Sequence, residues 1–335
     1  MFIRWNCIQG FKKWTIKIQI IGNCFILRPE EKMSRYNPSL VVHGGAWEIP
    51  DEEVKAHLRG VQKAIEKGWS LLASGASALD CVEETVAVME DDPTFDAGKG
   101  SILNTDGSVE MDASIMDGCR FDAGAVAALR NFPNPVRVAR KVLEETEHWL
   151  LAGPGCEAFA VRHGFESVPV ENLLTERELK RLQILINDPR FRSPHAFGGK
   201  RGTVGAVAMD KKGHVAAATS TGGTPKKLPG RVGDTPLIGC GTYAEDGVGG
   251  ISCTGWGESI MKVMLAREVA EHLRSGKPPV DSAEACVGIL KARAGGLGGI
   301  ICLDRYGNPG MAFNTPRMAR GMMNAETDKP FISVD

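Results

Sequence analysis

Residues 202–223 constrain this chain more than any other stretch. Gly202-Thr203-Val204-Gly205-Ala206-Val207-Ala208-Met209-Asp210 and His214-Val215-Ala216-Ala217-Ala218-Thr219-Ser220-Thr221-Gly222-Gly223 are two runs of small and β-branched residues, separated by Lys211-Lys212-Gly213. The pattern predicts a β-hairpin. Both runs are too apolar for half-exposed strands, so the hairpin is expected to be buried. Pairing sets Thr203, at the head of the first run, beside Thr221, at the close of the second.

A threonine opening a buried strand is ordinarily a β-branched strand former. Thr203 also admits a chemical reading, as a nucleophile whose own α-amine takes the hydroxyl proton. That requires the chain to be cut between Gly202 and Thr203. A glycine at 202 permits the strained backbone that brings the hydroxyl onto the preceding carbonyl. Hairpin logic alone leaves both readings open.

The remaining bounds are broad. A chain of 335 residues holds one large domain or two modest ones, and 43% hydrophobic residues suffice for a packed core. A net charge of −1 argues against nucleic acid as a partner. No run reaches membrane-spanning length. The nine cysteines are widely spaced with no C-x-x-C pair, which favours reduced thiols and a cytoplasmic location. Cys253, in an apolar strand, reads as a core filler. In residues 1–32, charges at Arg4, Lys12, Lys13 and Lys17 interrupt any secretory apolar run. Met33 is read as the natural start, and residues 1–32 are expected to have no role in the fold.

Hydrophobic periodicity places the other elements. Ser39–His43 reads as a strand entering a turn at Gly44-Gly45-Ala46. Helices are expected over 51–73, 76–90, 135–147, 153–163, 175–186, 259–274 and 282–293. Strands are expected over 101–103, 109–116, 121–128, 150–152 and 248–254, with a last hairpin of 299–303 and 310–314. Residues 171–202 are rich in Arg, Lys, Asp and Pro, and from Asn187 they read as an exposed tether feeding a buried strand. Strands cluster and helices come in pairs, so the expected class is α+β with mixed layers.

Three constellations carry candidate chemistry. In the loop Arg231-Val232-Gly233-Asp234, a guanidinium suited to a carboxylate and a carboxylate suited to an ammonium match an α-amino acid head group. A solvated surface ion pair is the plain alternative. Thr254-Gly255-Trp256-Gly257 lies between a strand and a helix, where a hydroxyl and backbone N–H groups face a forming oxyanion. The rival there is a dinucleotide loop, and so an oxidoreductase, but Ile260 occupies the third glycine position. His43 reads either as a base or as a satisfied strand-end histidine.

Together these pieces resemble the plant-type L-asparaginase and isoaspartyl peptidase family of N-terminal nucleophile hydrolases. The likeness runs from Leu40 to about Pro330. It is carried by VVHGGAW (41–47), DPTFDAGKGS (92–101), VEMDASIMDG (109–118), GTVGAVAMD (202–210), ATSTGG (218–223), LPGRVGDTPLIG (228–239) and SCTGWGE (252–258). Glycosylasparaginase, a relative, carries Asp where this chain has Gly202. The resemblance implies an αββα four-layer sandwich. It implies self-cleavage between Gly202 and Thr203, giving subunits of 33–202 and 203–335 within one domain, assembled as (αβ)2. Thr203 then attacks the side-chain amide of asparagine or the isopeptide bond of a β-aspartyl dipeptide. Thr221 supports the nucleophile, and Thr254 and Gly255 form the oxyanion hole. Arg231, Val232, Gly233, Asp234, Trp256 and Gly257 line the substrate site. No cofactor is implied for catalysis. A structural sodium or potassium ion is implied on the carbonyls of Met89, Glu90, Asp92, Phe95, Ala97 and Lys99, hard ligands suited to such an ion. An uncleaved, silent member acting as a binding protein is the alternative within the family.

One residue departs from the family pattern: Asp96 stands where Asn is usual. An ionised carboxylate accepts and does not donate. It is expected to raise the pKa of the Thr203 ammonium.

Overall fold

The expected hairpin is the centre of the main sheet. In the computed structural model, which describes residues 16–21, 24–29, 36, 38–188 and 202–335, β7 (Val204–Met209) and β8 (Val215–Thr221) pair antiparallel from Val204↔Ser220 to Met209↔Val215. Asp210 closes the turn, its side chain accepting the N–H groups of Lys212 (2.8 Å) and His214 (3.1 Å).

Around the hairpin, the sheet order is β14-β13-β3-β7-β8-β4-β5-β6. The added strands are β3 (Ser39–Trp47), β4 (Met111–Asp117), β5 (Asp122–Leu129), β6 (Leu150–Ala152), β13 (Arg317–Asn324) and β14 (Phe331–Ser333). All neighbours are antiparallel except β5 and β6. A second antiparallel sheet runs β12-β11-β10-β9, from β9 (Thr242–Glu245), β10 (Gly249–Gly255), β11 (Gly298–Asp304) and β12 (Pro309–Phe313).

Both faces of the hairpin are buried, and its side chains alternate between two cores. Ala206, Ala208, Ala216 and Ala218 join the core under the helices α1 (Asp51–Ser74), α2 (Ala78–Glu90) and α3 (Pro135–Glu145). Val207, Met209, Val215 and Ala217 join Ile251, Cys253, Ile300 and Ile301 of the second sheet. Small residues on the helix side allow close approach, and larger ones fill the space between the sheets. The helices α7 (Leu265–Arg274) and α8 (Pro279–Ala294) contribute Leu265, Val269 and Leu290 to this second core. Cys253 is fully buried among them, as the core-filler reading expects.

Several expectations are corrected. Gly44–Ala46 is not a turn: β3 continues to Trp47, paired with β13 through Met318↔Ala46 and Arg317↔Trp47. Its pairing with β7 stops at His43↔Gly205, leaving an overhang against which Gly202 lies. The helix expected over 259–274 is two helices, α6 (Gly257–Val263) and α7, broken at Met264 with φ +50°. The break lets the N–H groups of Ala266 and Arg267 bond to the carbonyls of Cys240 and Gly239 at 3.0 and 2.8 Å. Residues 101–103 form no strand, only a bridge of Leu103 to Val109. The strands β9, β13 and β14 are additions.

The helices α4 (Gly153–Arg162) and α5 (Glu176–Ile186) match their expected spans, α5 starting from a Thr175 side-chain cap on Glu178. Most of the tether, residues 189–201, lies outside the described residues. Ahead of the sheets, β1 (Ile16–Ile21) and β2 (Cys24–Pro29) pair as an antiparallel hairpin, in a unit separate from 36–335. The rest of 1–32, and Met33, lie outside the described residues. Among the described residues no helix is long and apolar enough to cross a membrane.

Candidate active site

Thr203 sits where β7 begins, directly after Gly202. Its hydroxyl donates to Thr221 Oγ1 at 3.2 Å, so the hairpin brings together the two residues placed side by side from the sequence. Thr221 Oγ1 also accepts the Gly223 N–H at 3.0 Å, which holds it in place and leaves a second lone pair for the Thr203 proton. The Gly202 carbonyl accepts the Asp96 N–H at 3.2 Å. A Cβ at 202 would stand 2.6 Å from the Gly44 carbonyl oxygen and 2.8 Å from Gly45 Cα, so the β3 overhang leaves room only for glycine.

His43 proves to be part of this site. It is fully buried, and desolvation drives its pKa from 6.5 to about 3, against the opposing pull of the Thr203 carbonyl. It is therefore neutral at physiological pH. Nδ1 faces the Thr203 carbonyl oxygen at 3.0 Å and so carries the hydrogen, which makes Nε2 an acceptor for the Ser252 hydroxyl at 2.8 Å. Ser252 Oγ is then free to accept from Thr219 Oγ1 at 2.7 Å, and Thr219 accepts from Thr242 Oγ1 at 2.6 Å. The Ser114 hydroxyl, 2.8 Å from Thr242 Oγ1, donates its proton to the Thr235 carbonyl at 2.6 Å and so anchors the far end. The result is a buried, uncharged relay from Thr242 through Thr219 and Ser252 to His43, its donors pointing toward the nucleophile's backbone. Such chains strengthen each member. Ser252, Thr219 and Ser114 each lie two residues from a polar site residue on the same strand face: Thr254, Thr221 and Asp112. That alternation was the sequence signal for them.

Thr254 and Gly255 end β10 and share with Ala46, Asp96, Gly202 and Thr203 a void of about 10 Å3. That is room for about one water molecule and no more. Thr254 Oγ1 lies 3.4 Å from the Ala46 N–H. Trp256 caps α6, its N–H donating to the Leu297 carbonyl at 3.1 Å.

Arg231, Asp234 and Gly257 gather at a second corner. A Cβ at Gly257 would stand 2.8 Å from both Arg231 Nη2 and Asp234 Oδ1, so the absent side chain leaves a space faced by both charges. Arg231 does not pair with Asp234. Its guanidinium makes a two-bonded contact with Glu258, 2.9 Å at each oxygen. Asp234 is buried, its Oδ2 has no hydrogen-bond partner, and burial pushes its pKa to about 7 while Arg231 draws it down. The surface ion-pair alternative is thereby set aside. Val232 is half-buried in the loop, and the Gly233 N–H donates to Asp112 Oδ2 at 3.1 Å. Glu110 Oε2 takes the Gly230 N–H at 2.9 Å. Buried Lys227 donates to the Gly222 carbonyl at 2.7 Å. Glu110, Asp112, Lys227 and Glu258, which hold this loop, were not singled out from the sequence; the E-x-D pair entering β4 was the available signal.

In the 89–99 loop, the carbonyls of Met89, Glu90 and Asp92 accept the N–H groups of Asp92 (3.3 Å), Lys99 (2.7 Å) and Phe95 (3.1 Å), each keeping a second lone pair. A Cβ at Gly100 would stand 2.8 Å from the Phe95 carbonyl oxygen, so the loop closes over its own carbonyls. Neutral and dipolar oxygens of this kind fit a monovalent cation. Beneath them the Glu90 carboxyl is fully buried and burial pushes its pKa to about 8, so it adds no charge at neutral pH.

Fold and junction together define a mixed α+β protein with a supported threonine hydroxyl at the head of its central hairpin. The chain belongs to the asparaginase family, whose model matches residues 36–332. The isoaspartyl peptidase/L-asparaginase of Xenopus laevis is 48% identical over 282 residues, 84% of this chain and 91% of the relative. The human protein of the same name is 45% identical, over 81% of this chain and 88% of its own. The plant-type L-asparaginase of Thermococcus kodakarensis is 43% identical, over 88% of this chain and 99% of its own.

Proposed function

We propose that this chain is a self-cleaving threonine amidohydrolase acting on L-asparagine and β-aspartyl peptides. The observation that carries the reading is the Thr203 hydroxyl, held by Thr221 directly behind a Gly202 carbonyl that accepts the Asp96 N–H. In the uncut chain, Thr203 Oγ attacks that carbonyl while its proton passes by way of Thr221 to the Thr203 nitrogen, which leaves as the amine. The C–N bond breaks, the amine is released, and water hydrolyses the resulting ester. Cleavage frees the Thr203 amine, which then serves as general base for the same hydroxyl. It also frees Gly202 to leave a junction whose void of about 10 Å3 is too small for an amino acid.

In the mature site, the Thr203 hydroxyl attacks the substrate's side-chain amide or isopeptide carbonyl. Thr254 and Gly255 receive the oxyanion. The α-amine returns its proton to the departing ammonia or amino acid, and water frees aspartate. Asp234 takes the substrate ammonium, and its unpartnered Oδ2 supports this role. Arg231, oriented by Glu258, takes the α-carboxylate. Gly257 provides the space between them. The carbonyls of Met89, Glu90, Asp92, Phe95, Ala97 and Lys99 would hold sodium or potassium, fixing the loop that carries Asp96. The finer architecture is a four-layer αββα sandwich, supported by the two cores on opposite faces of the main sheet. Subunits 33–202 and 203–335 remain together as one αβ unit, paired as (αβ)2 in the cytoplasm.

Intact mass of the purified protein tests the central step. Two fragments meeting at 202/203, absent in Thr203→Ala, are expected. A single uncut chain that hydrolyses asparagine at full rate would overturn the mechanism. Steady-state rates on asparagine and on β-aspartyl dipeptides rank the two substrates.

A further inference from the structure

The far end of the central hairpin carries a different chemistry. His214 follows the β7–β8 turn, about 20 Å from Thr203 along six strand residues. Its Nδ1 lies 2.8 Å from Asp246 Oδ2, and its Nε2 lies 3.7 Å from the Cys119 Sγ. One donor atom from each of the three residues lies within 4.8 Å of the other two. Three separate segments supply them: the end of β4, the start of β8 and the β9–β10 connection.

Backbone bonds lock these segments beside the cluster. The Gly118 N–H donates to the Val215 carbonyl (2.8 Å), and the Asp246 N–H donates to the Gly118 carbonyl (3.0 Å). The Val215 N–H donates to Asp246 Oδ1 (2.9 Å), so Asp246 is held from both its backbone and its side chain. Each donor is thus at most one residue from a cross-link, and little ordering remains to be done on binding. The cluster borders a cavity of about 350 Å3, also faced by Asp117, Arg120 and Asp210. Cys119 is exposed, the one free cysteine so placed among the described residues, and His214 and Asp246 are partly exposed. An ion from solution can reach all three.

We propose that Cys119, His214 and Asp246 form a binding site for one borderline divalent cation, zinc, independent of the Thr203 centre. A thiolate, an imidazole and a carboxylate form a mixed S/N/O set that zinc accepts, whereas magnesium and calcium require all-oxygen shells. One thiolate and one carboxylate neutralise its two charges. One zinc ion takes one ring nitrogen, Nε2 beside Cys119, so Asp246 Oδ2 must leave Nδ1 and turn toward it; the three donor atoms start within 4.8 Å of one another, and ligands around tetrahedral zinc stand about 3.3–3.8 Å apart. The fourth position faces the cavity and takes water.

Titrating the chelator-treated full chain with cobalt(II), a spectroscopic stand-in for zinc, tests this. One equivalent per chain with a thiolate-to-cobalt charge-transfer band is expected, displaced by zinc. Cys119→Ser should lose the band, and Cys119→Ser, His214→Gln and Asp246→Asn should each weaken zinc binding at least about tenfold. Asparagine hydrolysis and the melting curve of Cys119→Ser should match those of the parent. No charge-transfer band in the parent at one equivalent, or equal zinc affinity in Cys119→Ser, overturns the site. Should His214→Gln or Asp246→Asn fold poorly, the near-isosteric change at exposed Cys119 decides alone.

Discussion

The support behind the nucleophile and the Asp234 carboxylate of the head-group corner are both buried, yet they are built from opposite materials. Behind Thr203 stand a neutral histidine and the hydroxyls of Ser252, Thr219 and Thr242, each hydrogen-bonded to the next. At the corner stand Arg231, Glu258 and Asp234, with one carboxylate oxygen left unpaired. A neutral, fully paired relay holds geometry and costs little to bury, because no charge is desolvated. A buried carboxylate without a partner costs stability and becomes worthwhile only when a cationic ligand arrives. The contrast separates positioning from recognition.

The largest expected effect comes from pushing acid against the neutral side. The His43 pKa falls from 6.5 to about 3 on folding, so the native state stays neutral where the unfolded chain protonates. The unfolded state then binds more protons between those values. Stability is fully present above about 6.5 and is lost as pH falls toward 3, by roughly 5 kcal/mol at the limit. Urea unfolding across that range should show the loss. His43→Asn keeps a donor for the Thr203 carbonyl and removes the titration, so its stability curve should be flatter, though lower at pH 7. Parallel curves would mean that other groups govern the acid loss.

Next in size is the corner itself. Burial raises Asp234 to about pH 7, and only its ionised form attracts an ammonium. kcat/KM should therefore rise as pH rises through about 7. Asp234→Asn should remove that step and lower kcat/KM by about 10²–10³-fold, mainly through KM. Self-cleavage at 202/203, which uses no substrate ammonium, should keep its rate. If cleavage slows as much as hydrolysis, the two regions are not separable.

What the sequence disclosed divides along the same line. Thr203 and Thr221 could be set side by side from strand alternation and a glycine turn, both local features. The relay was not read, because Ser114, Thr219, Thr242 and Ser252 sit in runs where serine and threonine read as ordinary strand residues, and the two-residue spacing of three of them from site residues gains meaning only once the sheets are placed. Their role depends on two sheets meeting face to face. The Arg231–Glu258 contact joins residues on opposite sides of the second sheet's central strand, and no local pattern couples them. The break at Met264 was invisible because the carbonyls that impose it belong to Gly239 and Cys240. Strand β13 was hidden for a compositional reason: Arg317-Met318-Ala319-Arg320-Gly321-Met322-Met323-Asn324 contains no β-branched residue. Pairing with β3 on one side and β14 on the other overrides that propensity.

Asp96 joins the two regions and carries the smallest expected effect. Its backbone serves the nucleophile: the N–H holds the Gly202 carbonyl, and the carbonyl accepts the Gly222 N–H at 2.8 Å. Its side-chain Oδ1 accepts the Ile102 N–H at 2.8 Å, a bond that an asparagine oxygen can also accept. The substitution Asp96→Asn therefore changes charge with little change in fold. Lys227, buried nearby, opposes that charge: burial lowers its pKa, while Asp112 and Asp96 pull it back up. The carboxylate still favours the protonated amine of cleaved Thr203, and the lysine reduces the effect without cancelling it. The acid limb of the kcat/KM profile should move down by about half to one pH unit in Asp96→Asn. The gain in rate should be few-fold at pH 7 and vanish at alkaline pH, where the amine is free in both proteins. Superimposable profiles would show that Lys227 already balances the carboxylate, and the neutrality around the nucleophile would then extend to Asp96 itself.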